Sequence, residues 1–222
     1  MKKVKILKNM GKIALVLIII LIVACIIHTI RNYKIISNLQ NNFAQYKDSK
    51  NYNISIISTK DTGVITKTNY YRKDNKQAIF LEKNTNGEIE KISLYDNGER
   101  VDKFIETKDE KFVQIDTNDL IPINVNNQLE TDNNWQKFLG CVKAKIKSEN
   151  YNGKDCYVIT EFISSSSSTY KSSKIYVDKE TGILLKNIEE GIVSERKYEF
   201  NKVENSIFNE PDISQYTIKE KN

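Results

Sequence analysis

The chain has 222 residues, with 34 Lys and Arg against 29 Asp and Glu, for a formal net charge of +5. The whole excess lies in the first 12 residues, where Lys2, Lys3, Lys5, Lys8 and Lys12 stand with no acid among the first 30, so that beyond them 29 basic side chains balance 29 acidic ones. A neutral body removes the counterion-release argument for a nucleic-acid partner, and the single histidine, His28, removes most catalytic triads, zinc sites and His-based acid catalysis.

From Ile13 to Ile27 the sequence IALVLIIILIVACII holds no polar residue, and His28, Thr29 and Ile30 bring the stretch to 18. That is close to the roughly 20 helical residues that cross a bilayer core. The lysines before it are expected to stay cytoplasmic by the positive-inside rule. The expected organisation is a cytoplasmic basic segment over 1–12, a transmembrane helix over 13–30 and one extracytoplasmic domain over 31–222. A cleaved secretory signal would need a small-x-small site, which is missing after Ile20. Ile22-Val23-Ala24-Cys25 is a rival, because it matches a bacterial lipobox in which Cys25 would be lipidated. Against that, Ile26 and Ile27 continue the apolar run. Both readings leave the body on the same side of the membrane.

Residues 33–46 are expected to continue as a helix, with Ile35, Ile36, Leu39, Phe43 and Tyr46 on one face. After it, alternation with period two takes over. Tyr52, Ile54 and Ile56 alternate with polar residues, as do Val142, Ala144 and Ile146, and Tyr198 and Phe200; this is the pattern of strands with one wet face. The 23 Ile, 9 Val and 12 Tyr of the body favour strands as well. Asn86-Gly87, Asn97-Gly98 and Asn152-Gly153 fit two-residue hairpin turns, and Asp61-Thr62-Gly63 and Glu180-Thr181-Gly182 mark further turns. The alternation breaks at Asp119-Leu120-Ile121-Pro122. A short helix is expected to follow, capped by Thr131 or Asp132, with Trp135, Phe138 and Leu139 on one face. Ser164 to Ser168 reads as a loop. The fold class is therefore α+β: an antiparallel meander of seven to ten strands with one helix before it and one inserted.

Several chemical motifs have plainer explanations. Asp61-Thr62-Gly63 repeats the aspartic-protease tripeptide but occurs once and behind Lys60, so it is a tight turn. Ser168-Thr169-Tyr170-Lys171 and Ser148-Glu149-Asn150 match pieces of acyl-serine enzymes in the wrong order and context. Asp116, Asn118 and Asp119 lack the glycine and the closing glutamate of a calcium loop. No metal, no cofactor and no catalytic residue is expected. Cys141 and Cys156 are a candidate disulfide pair on an oxidising face of the membrane, although the Asn152-Gly153 turn would set Cys156 opposite a residue near 149.

The run Ser173-Lys174-Ile175-Tyr176-Val177-Asp178-Lys179-Glu180-Thr181-Gly182-Ile183-Leu184-Leu185-Lys186, followed by Glu199-Phe200-Asn201-Lys202-Val203 and Phe208-Asn209-Glu210-Pro211-Asp212, resembles the tail of the LolA-like superfamily. This superfamily also holds LolB, RseB/MucB and membrane-anchored proteins of Gram-positive bacteria, and the order of helices and strands agrees over residues 35–218. The resemblance implies an incomplete antiparallel β-barrel over helices, with an apolar cavity for acyl chains or a lipidated partner. A chain fixed in one membrane cannot ferry lipoproteins between two, and Arg31, Arg72, Arg100 and Arg196, the only arginines, lie in no motif that matches the carrier's cavity arginine. Two functions stay open: a non-catalytic lipid- or lipoprotein-binding domain, or an envelope-sensing or protein-interaction ectodomain whose cavity is only core. The residues expected to point inward are Tyr52, Ile54, Ile56, Val142, Ile146, Tyr198 and Phe200.

Overall fold

The computed structural model describes residues 2–117, 129, 133–162 and 174–219, with side chains from residue 11 onward. The 119–122 break, the caps expected at Thr131 and Asp132, the serine run, the Ser168 to Lys171 motif and Asn118 lie outside the described residues.

Helix α1 (Lys2–Lys47) is continuous over 46 residues, about 69 Å at 1.5 Å per residue. After Lys12 the helix is apolar all round over a stretch long enough to cross a membrane, with a mean hydropathy of 3.2 and almost none of it buried. From Thr29 onward the same helix becomes one-sided. Thr29, Asn32, Ile36, Leu39 and Phe43 form a buried stripe at spacings of three and four, and each buried Ile, Leu or Phe contributes about 1.5–3 kcal/mol. One uninterrupted helix is thus bare at one end and core at the other.

The stripe lies on a twelve-stranded sheet of order β12-β6-β5-β4-β3-β2-β1-β11-β10-β9-β8-β7. The strands are β1 (Asn51–Lys60), β2 (Gly63–Lys73), β3 (Lys76–Thr85), β4 (Glu88–Asp96), β5 (Val101–Glu106), β6 (Lys111–Gln114), β7 (Lys145–Tyr151), β8 (Lys154–Thr160), β9 (Lys174–Asp178), β10 (Leu184–Glu189), β11 (Ile192–Phe200) and β12 (Thr217–Ile218). Two antiparallel meanders, β1 to β6 and β7 to β11, are joined side by side where β1 pairs with β11. The sheet is open, with β12 and β7 at its two ends, and its only parallel pair among the described strands is β12 with β6. This is the expected α+β class, with more strands than the seven to ten expected.

Asn86-Gly87 and Asn152-Gly153 make two-residue turns with both residues at positive φ (55° and 89°; 51° and 80°), as a mirror-image turn between twisted strands requires. Asn97-Gly98 instead opens a four-residue connection: Asn97 Oδ1 accepts from the amides of Glu99 and Arg100, so the turn closes through a side chain. The α2 helix (Asn134–Lys143) is capped by Asn133, one residue beyond Asp132 and two beyond Thr131, and the Asn133 side chain accepts from Gln136 N. The helix also ends later. Val142 belongs to its last turn and is exposed, while Ala144 is the C-cap, so the alternation over 142–146 is no strand; only Ile146 lies on β7.

Hydrogen bonds tie α2 to α1. Asn32, almost fully buried, donates both hydrogens of its side-chain amide, to Cys141 O at 3.0 Å and Ala144 O at 2.7 Å. His28 Nε2 lies 3.1 Å from the same Ala144 carbonyl and 3.0 Å from Asn32 Nδ2, so it belongs to the same polar cluster. His28 is a joint between the helices.

The hairpin from β9 to β10 carries the Asp178 to Gly182 turn. A Cβ on Gly182 would lie 2.1 Å from Leu39 O and 2.9 Å from Phe43 N, so the turn touches the backbone of α1, and Asn42 Nδ2 donates to Lys179 O beside it. A register shift between Leu184 and Lys186 lets consecutive leucines both face inward, Leu184 toward Ile36 and Leu39 and Leu185 toward Phe43. Asp178, buried in the turn, would be pushed up by that burial, but Lys154 Nζ at 2.9 Å, the Glu180 amide and the Thr181 hydroxyl outweigh it and hold the carboxyl below its usual range.

The outer face of the first meander is closed by the C-terminal segment. Tyr71, Phe80, Tyr95, Phe104 and Tyr216 form a ladder of edge-on rings with centroids 5.1–5.6 Å apart, each step adding about 0.5–1.5 kcal/mol beyond area burial. Ile207, Phe208 and Ile213, from the short turns at Asn205–Phe208 and Ile213–Gln215, pack over it.

The two cysteines of the candidate disulfide pair stand apart. Cys141, on α2, packs with Ile36 and Leu39, whereas Cys156, on β8 opposite Glu149, packs with Phe43 and Tyr52; both are buried free thiols in different clusters.

Gly182→Ala is expected to lower stability by about 3 kcal/mol or more, since the backbone of α1 must move, while Gly191→Ala, at φ 78° with nothing within 4 Å of the new Cβ, costs only about 1 kcal/mol of backbone strain; thermal melts of the two variants check the contrast. Asp178, held low in the folded state, contributes stability that is complete above its unfolded value of about 3.9 and is lost as the pH falls through its lower folded value. Asp178→Asn is expected to melt earlier than the parent at pH 7 with a gap that narrows in acid; a gap independent of pH would refute the assignment.

Candidate functional site

The face of the sheet that receives α1 also runs past the end of that helix, and strand register places its side chains in rows. The first row crosses five strands as Asp96, Gln77, Arg72, Tyr52 and Phe200. The second is Leu94, Ile79, Tyr70, Ile54 and Tyr198; the third is Ile92, Leu81, Thr68, Ile56 and Arg196. The fourth, Glu90, Lys83, Thr66, Ser58 and Ser194, is polar throughout. Between the first row, which holds Arg72, and the polar fourth lies a mainly apolar strip two rows deep, with Thr68 and Arg196 on its outer row, about 19 Å across the five strands.

Cover decreases along the strip. Over the first row, α1 contributes Phe43 and Tyr46, and the Tyr46 ring lies 4.7 Å from that of Phe200. Tyr52 and Ile54 are fully buried, whereas Ile56, Tyr70, Leu94 and Tyr198 are partly exposed. Of the residues expected to point inward, Tyr52, Ile54, Ile56, Tyr198 and Phe200 come together here. Ile146 packs instead at the far end of the sheet, against the cluster around Ile36 and Ile159, and Val142 is on the outside of α2.

Two arginines stand in this apolar setting. Tyr52 is raised by burial and offset by its hydrogen bond to Arg72. Burial likewise raises Tyr70 and Tyr198, and the nearby Arg196 opposes both shifts, in part by a hydrogen bond to Tyr198. Arg196 Nε is buried without a hydrogen-bond partner, and so is Oδ1 of Asn187, which pairs with Ser194 one step along the neighbouring strand. A buried donor and acceptor left unmade cost about 1–3 kcal/mol each. Arg196 shares the period of Tyr198 and Phe200, so extending that alternation by one step locates it; Arg72 is likewise two residues from Tyr70. Among the described residues no group of three or more His, Cys, Asp or Glu side chains could hold a metal ion.

The arrangement can receive a molecule with an apolar body and an anionic or polar end. Aliphatic and aromatic side chains offer burial without directional bonds, and guanidinium groups at its margins offer charged donors.

No protein-family model matches the chain, and no curated protein sequence does. Among solved structures, it is similar to MucB in complex with MucA(peri), at 9% identity and a TM-score of 0.34, covering 82% of this chain and 61% of that one. It is also similar to an outer membrane lipoprotein-sorting protein domain from Vibrio parahaemolyticus (12% identity, TM-score 0.27, 80% of this chain and 97% of that one) and a LolA superfamily protein from Nitrosomonas europaea (13% identity, TM-score 0.22, 74% and 91%). The present chain thus spans less than two thirds of the MucB chain.

Arg196→Met is expected to change stability by no more than about 1 kcal/mol in either direction, because it removes an unpartnered buried donor and keeps the packed stem. A thermal melt checks this, and a loss of several kcal/mol would make Arg196 an ordinary core residue.

Proposed function

We propose that the chain is a membrane-anchored, extracytoplasmic domain that binds a lipid or a lipidated protein and performs no catalysis. The observation that carries this reading is the half-covered strip of Ile56, Tyr70, Leu94 and Tyr198, flanked by Arg72 and Arg196, on the face that α1 leaves open. A surface meant only as core has little use for a half-buried arginine whose Nε is sealed off without a partner. An acyl chain would lie along the strip, with its polar end at one of the guanidinium groups. In this reading the bare segment of α1 crosses the bilayer with Lys2 to Lys12 on the cytoplasmic side, which puts all twelve strands outside. Acylation at Cys25, exposed on α1, would keep the same side.

A second reading, an envelope-sensing or protein-interaction domain, is favoured by the complete burial of Tyr52 and Ile54, which makes that part of the strip ordinary core. Photocrosslinking separates the two. The full chain is expressed in a host fed a diazirine-bearing palmitate, irradiated and digested. Crosslinks to peptides of β1, β2 and β11, reduced in Ile56→Asp, are the expected result. Crosslinks confined to residues 13–30 would leave the strip as core and overturn lipid binding there.

A further inference from the structure

The two faces of α2 differ sharply. Lys137, Gly140 and Cys141 are buried against α1 and the sheet, while Trp135, Phe138, Leu139 and Val142, at i, i+3, i+4 and i+7, are 66%, 41%, 47% and 42% exposed. The rings of Trp135 and Phe138 stack at 5.7 Å. These four are an unbroken apolar stripe on the side of a ten-residue helix that faces away from the protein.

The contacts to α1 fix where this stripe sits. Lys137 Nζ lies over the ring of Tyr33, and Ala144 O accepts from Asn32 and lies 3.1 Å from His28 Nε2. Moving forward along α2 is therefore moving backward along α1, toward its bare apolar part. The C-terminal end of α2 is level with His28, inside the 13–30 segment. Trp135 is nine residues, about 13.5 Å along α2, before Ala144; because Lys137 to Ala144 runs past only Tyr33 to His28 of α1, that is about 10 Å further out along α1. In a bilayer spanned by residues 13–30 those levels run from the outer end of the hydrocarbon core, at Val142, into the outer headgroup layer, about 5–8 Å deep on each side of the core, at Trp135. Tryptophan favours that layer. Arg31, Lys34 and Lys143, all exposed, stand at the same levels, where they favour anionic headgroups.

We infer that α2 is a second membrane contact: the Trp135, Phe138, Leu139 and Val142 stripe inserts into the outer headgroup layer of the same bilayer that α1 spans, and so holds the domain against the membrane. The occupant follows from continuity, since the exposed stripe adjoins the exposed apolar surface of α1 at His28. This rests on the transmembrane reading of α1.

Trp135 is the only tryptophan of the chain, so its fluorescence reports this stripe alone. The full chain is reconstituted into nanodiscs of phosphatidylcholine and phosphatidylglycerol, with and without phosphatidylcholine brominated near the glycerol end of its acyl chains. The expected result is loss of most Trp135 emission in the brominated discs and little quenching by aqueous iodide. A Val142→Trp variant on a Trp135→Phe background is expected to be quenched best by bromine placed deeper in the chain. Phe138→Ser with Leu139→Ser, both exposed and therefore neutral for folding, is expected to restore iodide quenching at an unchanged melting temperature. Quenching by iodide alone, or by neither agent, overturns the inference, the latter because protein then covers the stripe. Alkaline carbonate extraction of the same protein from vesicles tests the anchor separately: a chain that stays in the membrane while Trp135 is open to iodide refutes the role of α2 only, whereas a chain that is extracted refutes the transmembrane reading as well.

Discussion

The side-chain amide of Asn32 holds the two helices in one register, and the rest of the molecule is built on that register. The last carbonyls of a helix have no partner within it, and at the end of α2 two of them, Cys141 O and Ala144 O, are turned into the protein interior. One buried amide satisfies both. Because α1 has no break, fixing Asn32 also fixes Ile36, Leu39 and Phe43 one, two and three turns further along, and with them the backbone patch that receives Gly182. A polar residue inside the apolar stripe of α1 thus costs little and sets the position of everything the stripe touches.

Much of the architecture is written plainly in the chain. The stripe of α1, the alternation of β1 and β11 and the Asn-Gly turns at 86 and 152 follow from periodicity and backbone preference, which act locally. What periodicity could not separate was the end of α2 from the start of β7. Val142, Ala144 and Ile146 alternate with lysines like a strand, yet Trp135, Phe138, Leu139 and Val142 also satisfy the helical spacing, and the choice is made by Asn32, more than a hundred residues away. The same holds for Cys141 and Cys156, whose separation depends on how α2 lies on the sheet.

The arginines were obscured for a different reason. Charged residues in an alternating strand are ordinarily assigned to the wet face, and Lys197 and Glu199 earn that assignment on β11. Arg196 sits on the opposite parity, with Tyr198 and Phe200, so its charge was set aside although its position in the repeat was informative. The half-burial of that guanidinium, with Nε left unpartnered, is local disagreement between composition and fold. The C-terminal ladder of Tyr71, Phe80, Tyr95, Phe104 and Tyr216 shows the contrast: there every position agrees with its surroundings and the face is closed.

The unbroken course of α1 has a mechanical consequence. A helix without proline, and with Gly11 as its one glycine, resists bending, so the junction between the bare and the packed part behaves as an axle and not as a tether. Successive residues are about 100° apart around that axle and about 1.5 Å apart along it. Inserting one residue between Ile27 and His28 would turn the whole sheet through more than a quarter of a circle relative to the apolar segment, and inserting four would bring it back nearly to its original heading and raise it by about 6 Å.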